Sequence, residues 1–170
     1  ETGDWLYGSY GAILFATQSF AAGMNLLEYQ RQLSAYTDSL QAMGQITTPT
    51  YLAVYLQVAD NFMKSFPKPH GLAGEFFNEE EWLTQPGAAQ NISARHFASL
   101  GKFILAYHFD RDDALDDYSV EAERFLAGGQ CIMSVAQFYF YLALFCAAPG
   151  DSQKPGPSVR QSQTGHAFHS

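Results

Sequence analysis

NLLEYQRQLSAYTDSLQAMG, residues 25–44, is the stretch whose reading decides the fold. Leu26, Tyr29, Leu33, Tyr36, Leu40 and Met43 recur at intervals of three and four, which places them on one face of an α-helix. The positions between them are mostly Gln, Arg, Ser, Thr and Asp. Asn25 and Glu28 have the spacing of a capping box, and Gly44 suits a C-terminal stop.

The same period continues on both sides. Leu6, Tyr10, Ile13, Thr17 and Phe20 form a stripe that Gly23 ends. Thr48-Pro49 reads as N-cap and first helical residue of a helix from Tyr51 to Phe66, closed by Pro67 and Pro69. That helix is apolar over more than half its circumference and is expected to be buried. Further helices are marked by Ile92, Phe97, Leu100, Ile104 and Tyr107, then by Ala114, Tyr118, Ala122 and Phe125, then by Ile132, Val135, Phe138, Leu142 and Phe145. Gly128-Gly129 separates the last two, and no segment alternates convincingly over strand length. The expectation is an all-α fold over residues 1–148, built as about three stacked antiparallel helix hairpins. Residues 149–170 are Pro/Gly-rich and nearly free of large apolar groups, so they read as a disordered tail.

With 47% hydrophobic residues the chain can build a core, and its net charge of -8 with nine basic residues argues against nucleic acid. An anionic membrane surface is disfavoured for the same reason. The segments 5–27 and 131–148 are free of charge and long enough to span a bilayer, but both carry polar residues and lack a basic flank. They read as buried helices, not membrane insertions. No initiator Met or signal peptide opens the chain, which reads as a segment of something longer. On one helix, Cys131 and Cys146 would lie about 22 Å apart, too far for a disulfide. Without a disulfide framework, the cytoplasm is the expected compartment. In that compartment the sequon at Asn91 carries no meaning. The cysteines' apolar surroundings suggest inert thiols.

LAGEFFNEEEWL, residues 72–83, most resembles a site, with four carboxylates among bulky apolar side chains. Asn78 and Glu81 again have capping-box spacing, and Phe77 and Trp82 stand at the hydrophobic-staple positions. Glu79, Glu80 and Glu81 fill a first helical turn, where carboxylates complement the helix dipole. Punctuation at the start of a short helix therefore accounts for all three, and Glu75 alone lacks a structural role. Asp110 to Glu121 faintly suggests a calcium loop, but Leu115 stands where that loop needs Gly. His96 and His108 read as surface or satisfied core residues, and no zinc, phosphate-loop or nucleophile-elbow motif occurs. Phe138-Tyr139-Phe140-Tyr141 reads as buried on several sides; an aromatic contact surface is the alternative.

Tyr107 to Ala114, followed by Tyr118, has the look of a tetratricopeptide turn. Blocks at Glu1 to Trp5 with Tyr7, Gly23 with Leu26-Leu27-Glu28, Leu72 to Glu80, Asn91, Lys102 with Ala106-Tyr107, Ala122-Glu123 and Phe138 to Leu144 carry a more specific likeness. Together they resemble the tetratricopeptide-like helical region of very large bacterial signalling proteins. In those proteins, serine/threonine-kinase-like and AAA-type ATPase domains precede the helices, and GAF with histidine-kinase or cyclase domains follow. The Pro/Gly-rich end from Pro149 departs from that pattern. The resemblance implies a non-catalytic, cofactor-free segment that binds neighbouring signalling domains or a regulator. Its candidate interaction residues are Glu75, Phe76, Phe77, Asn78, Glu79, Tyr107, Tyr139 and Tyr141. Two other readings stand beside it. One is a small-molecule sensor with a pocket between aromatic helices. The other is a helical metal-dependent enzyme using Glu75, Glu79, Glu80 or the pairs Asp112/Asp116 and Asp113/Asp117.

Overall fold

The computed structural model describes residues 5–109, 114–129 and 132–147. Among them are seven α-helices: α1 (Trp5–Ala21), α2 (Leu26–Ala42), α3 (Thr47–Met63), α4 (Glu79–Leu83), α5 (Ile92–Phe109), α6 (Ala114–Arg124) and α7 (Met133–Ala147). Short 3₁₀ turns at Ala88–Gln90 and Leu126–Gly129 precede α5 and α7. No strand forms among the described residues. A single antiparallel bridge pairs Ala73 with Asn78. The tail from Pro149, the acidic run Asp110 to Asp113, Cys131 and Glu1 to Asp4 lie outside the described residues.

The opening stretch folds as its period requires. The Asn25 side chain accepts from the N–H groups of Leu27 and Glu28 at 3.1 and 3.2 Å, supplying partners that the first turn cannot. Glu28 does not complete the box. Its carboxylate takes Arg31 and Gln32, which hold it down at about 2. At the other end Gly44, at φ +76°, donates to Gln41 O, and Gln45 donates back to Leu40 O. This is a Schellman stop, and its left-handed residue favours glycine. The inner face is Tyr29, Leu33, Thr37 and Leu40. Tyr36 and Met43, expected inside, are turned outward.

Two boundaries differ from expectation. Ile46 is the N-cap of α3, so Thr48 and Pro49 already lie within the first turn. Both are buried there. The helix stops at Met63, before Phe66, where Lys64 turns extended. Helix α3 is otherwise buried as expected, and it packs on α5. Their crossing is close: a methyl group on Gly101 would sit 2.6 Å from Val58 Cγ2.

Helix α1 packs on α3, α3 on α5, α5 on α7, and α7 returns to α1. Helix α2 covers one flank of this four-helix ring, against α1 and α3, while α6 packs chiefly on α5. The first and last described helices therefore touch, which a linear stack of hairpins would not produce. Helix α7 corrects the expectation of all-round burial. Phe138 is buried, but Tyr139 and Phe140 are each more than half exposed, because no described element packs over their side of the helix. Cys146 is likewise exposed as a free thiol, not embedded in apolar surroundings. Among the described residues, no helix is long and apolar enough to cross a membrane.

Candidate interaction groove

The acidic stretch forms one wall of a groove of about 680 Å³, whose other wall is the α2–α3 turn and the first turns of α3. Residues 72–79 make a tight hairpin, with Glu79 N–H donating to Leu72 O at 2.8 Å and Gly74 N–H to Phe77 O at 3.1 Å. Helix α4 then starts as expected. Asn78 Oδ1 accepts from Glu81 N–H, and the Phe77 and Trp82 rings pack with centroids 5.7 Å apart. Both rings are buried, so the staple anchors the wall to the core.

What holds this hairpin is a feature that the sequence reading missed. Gln57, fully buried on α3, accepts the N–H groups of both Phe76 and Phe77 through Oε1, at 3.1 and 3.2 Å. Its amide donates to Asn61 Oδ1 at 2.7 Å, and Asn61 donates onward to the carbonyls of Pro69 and Gly71. Two buried amides thus satisfy four backbone groups of a segment with no ladder or helix of its own. The hairpin approaches so closely that a methyl group on Gly74 would clash with the Gln57 amide. The available signal was a pair of amides four residues apart on a mostly apolar helix.

The carboxylates of this stretch do not converge. Glu75 stands exposed at the groove rim, with Lys64 the nearest cation at 3.8 Å. Lys64 itself is drawn to Asp60, buried on α3, at 2.8 Å. Glu79 turns the other way, to Lys102 Nζ at 3.0 Å, and Lys102 reaches Glu121 at 2.8 Å. Burial alone would lower the Lys102 ammonium, but the two carboxylates outweigh it and hold it above the ordinary lysine value. Arg95 extends the cluster to Glu121 at 3.6 Å and lies over the Phe125 ring. Glu79 is therefore half-buried inside a tie between α4, α5 and α6, and not on a free first turn. Glu80 is exposed, and Glu81 lines the groove. Among the described residues, no group of three His, Cys, Asp or Glu side chains is placed to hold a metal ion. The Asp112 and Asp113 members of the proposed acidic pairs lie outside the described residues.

The remaining candidates sit apart from the groove. Tyr107 and Tyr141 stack edge to face at 5.4 Å, and the Tyr141 hydroxyl meets His108 Nε2 at 3.2 Å. Tyr139 faces solvent. His96 is a core residue, with Nε2 at 2.9 Å from Ser134 Oγ. Both partners are completely buried. Asn91 caps α5 through Ala94 N–H and accepts the Tyr51 hydroxyl.

No family model matches the chain, and neither a curated protein nor a solved structure matches it.

Proposed function

We propose that the chain is a non-catalytic interaction segment of a signal-transduction protein, and that the groove receives a polypeptide partner carrying aliphatic and basic side chains. The observation that carries this reading is the composition of the groove. Its apolar members include Ile46, Ala53, Phe76 and Trp82. Glu75 and Glu81 supply negative charge, and among the described residues no Lys or Arg lines it. An apolar surface edged by one sign of charge selects a partner of the opposite sign. The wall is held in shape by Gln57 and Asn61, which limits the ordering cost of binding. Gly74 to Asn78, from one of the most specific blocks of the resemblance to helical regions of bacterial signalling proteins, lines that wall. The partner class, neighbouring signalling domains or a regulator, comes from that resemblance.

Panning a displayed peptide library against the full chain, then mapping the selected peptide by amide chemical shifts, tests the proposal. Enrichment of aliphatic residues with Lys or Arg is expected, with shifts clustered at 41–53 and 74–85. The reading fails if the selected peptides bind elsewhere or ignore charge. A metabolite that raises the melting temperature through the same residues would favour the sensor reading instead. A stoichiometric bound ion in purified protein would favour the metal enzyme.

A further inference from the structure

Helices α3, α5 and α7 run in the same direction. Near their starts, Tyr51 bonds Asn91 and His96 meets Ser134. Further along, the rings of Phe62, His108 and Tyr141 come together, with centroids 5.2 and 5.7 Å apart. Helix α3 stops one residue past Phe62, and α7 runs on for about 9 Å past Tyr141, to Ala147. Glu75, on the rim of the groove, belongs to that same end, 3.8 Å from Lys64 Nζ. Helix α5 packs on both α3 and α7, so two helix spacings put them at most about 20 Å apart. Ala147 is then roughly 20–25 Å from Glu75. Lys154 is the seventh residue beyond Ala147, and seven extended residues span about 23–25 Å. The chain's own continuation therefore reaches the groove.

We infer that KPGPSVR, residues 154–160, occupies the groove of its own chain and holds it closed to an outside partner. The inference rests on the reading of the groove as a polypeptide site. Charge selects this occupant. Lys154 and Arg160 against Asp151 leave residues 149–170 at +1, whereas residues 1–148 carry -9. No acid follows Asp151, so the segment meets Glu75 and Glu81 without repulsion. Shape selects it too. Pro155 and Pro157 favour the polyproline II form. With three residues per turn, Lys154, Pro157 and Arg160 share one face, a ring between two cations. Aromatic-lined grooves take such segments, and Phe76 and Trp82 line this one. Polyproline II makes no internal hydrogen bonds. Its carbonyls therefore need donors, which the side-chain amides of Gln41, Gln45 and Gln85 supply along the groove. Val159 brings an aliphatic side chain to a groove where Ile46 is 80% exposed. Held by its tether, the segment competes with any outside ligand at an effective concentration on the order of millimolar.

Amide chemical shifts of the full 170-residue chain, compared with its Lys154→Glu/Arg160→Glu variant, test the inference. The signals of 41–53 and 74–85 are expected to differ between the two forms, and dilution should leave those of the parent chain unchanged. A synthetic peptide covering Ser152 to Ser162 should then bind the variant at least about tenfold more tightly than the parent, because the tethered competitor is gone. Identical groove signals in the two forms, or equal affinity for the peptide, overturn the inference. So do parent signals in the groove that change on dilution, which would assign the segment to a neighbouring copy. If library-selected peptides still map to 41–53 and 74–85 in those cases, the groove reading stands and only its occupant is wrong. If they miss the groove as well, both readings fall.

Discussion

Gln57 shows how one buried amide can shape a surface it never reaches. Its carbonyl oxygen takes two adjacent N–H groups of the hairpin. Removing it leaves both without a partner inside the protein. Gln57→Ala should therefore cost about 3 kcal/mol in urea unfolding, the sum of two buried donors left unsatisfied. Gln57→Glu keeps the acceptor but sets a carboxylate against Asn61 Oδ1 and should lose stability as well. His96 makes a different residue-scale prediction. Burial lowers its imidazole from 6.5 to about 4. Below pH 6.5 the unfolded chain takes up a proton that the folded ring refuses until about pH 4. Stability is thus complete above pH 6.5, falls as the pH drops, and levels off below pH 4. The loss should be on the order of 3 kcal/mol. His96→Gln should flatten that part of the unfolding-versus-pH curve, at some cost in packing.

At the scale of elements, α4 is a five-residue helix held from both ends and from one side. Asn78→Ala should cost on the order of 1 kcal/mol through the lost cap, and Trp82→Ala about 3 kcal/mol through the buried ring. Glu79 and Glu80 should separate sharply in chemical denaturation. Glu80→Gln removes an exposed dipole contribution of under about 1 kcal/mol. Glu79→Gln weakens a charged hydrogen bond to a buried lysine and should cost about 1.5 kcal/mol. Equal, negligible effects would mean that the Lys102 cluster contributes nothing. The staple and cap of α4 are readable in the sequence because their residues lie within five positions of each other. The Glu79–Lys102 pair is not, since 23 residues separate its members and no local period connects them. The same distinction governs the helices. Existence and order follow from apolar spacing, as in α2. Which side of α7 is inside depends on what packs over it, and an almost uniformly apolar sequence holds no record of that. On α2 the inner position after Leu33 is taken by Thr37, whose hydroxyl bonds Leu33 O, and not by Tyr36.

For the whole molecule, the crossing of α3 and α5 sets the spacing of everything else, since α1, α2, α6 and α7 are all packed on one or both of them. Gly101→Ala should force that crossing apart and cost about 1–3 kcal/mol, the usual penalty for overpacking. Adding Val58→Ala should recover part of the loss, because the methyl it meets is then gone. A double-mutant cycle showing no coupling would place the strain elsewhere. The groove wall also gives the molecule an optical handle. The chain holds two tryptophans, Trp5 and Trp82. Trp82 lies in that wall, shielded from water and packed at a tilt against Phe77. In a Trp5→Phe background the protein would have a single indole emitter. Its wavelength and quenching would then report, without any added label, whether the groove is filled, empty or coming apart.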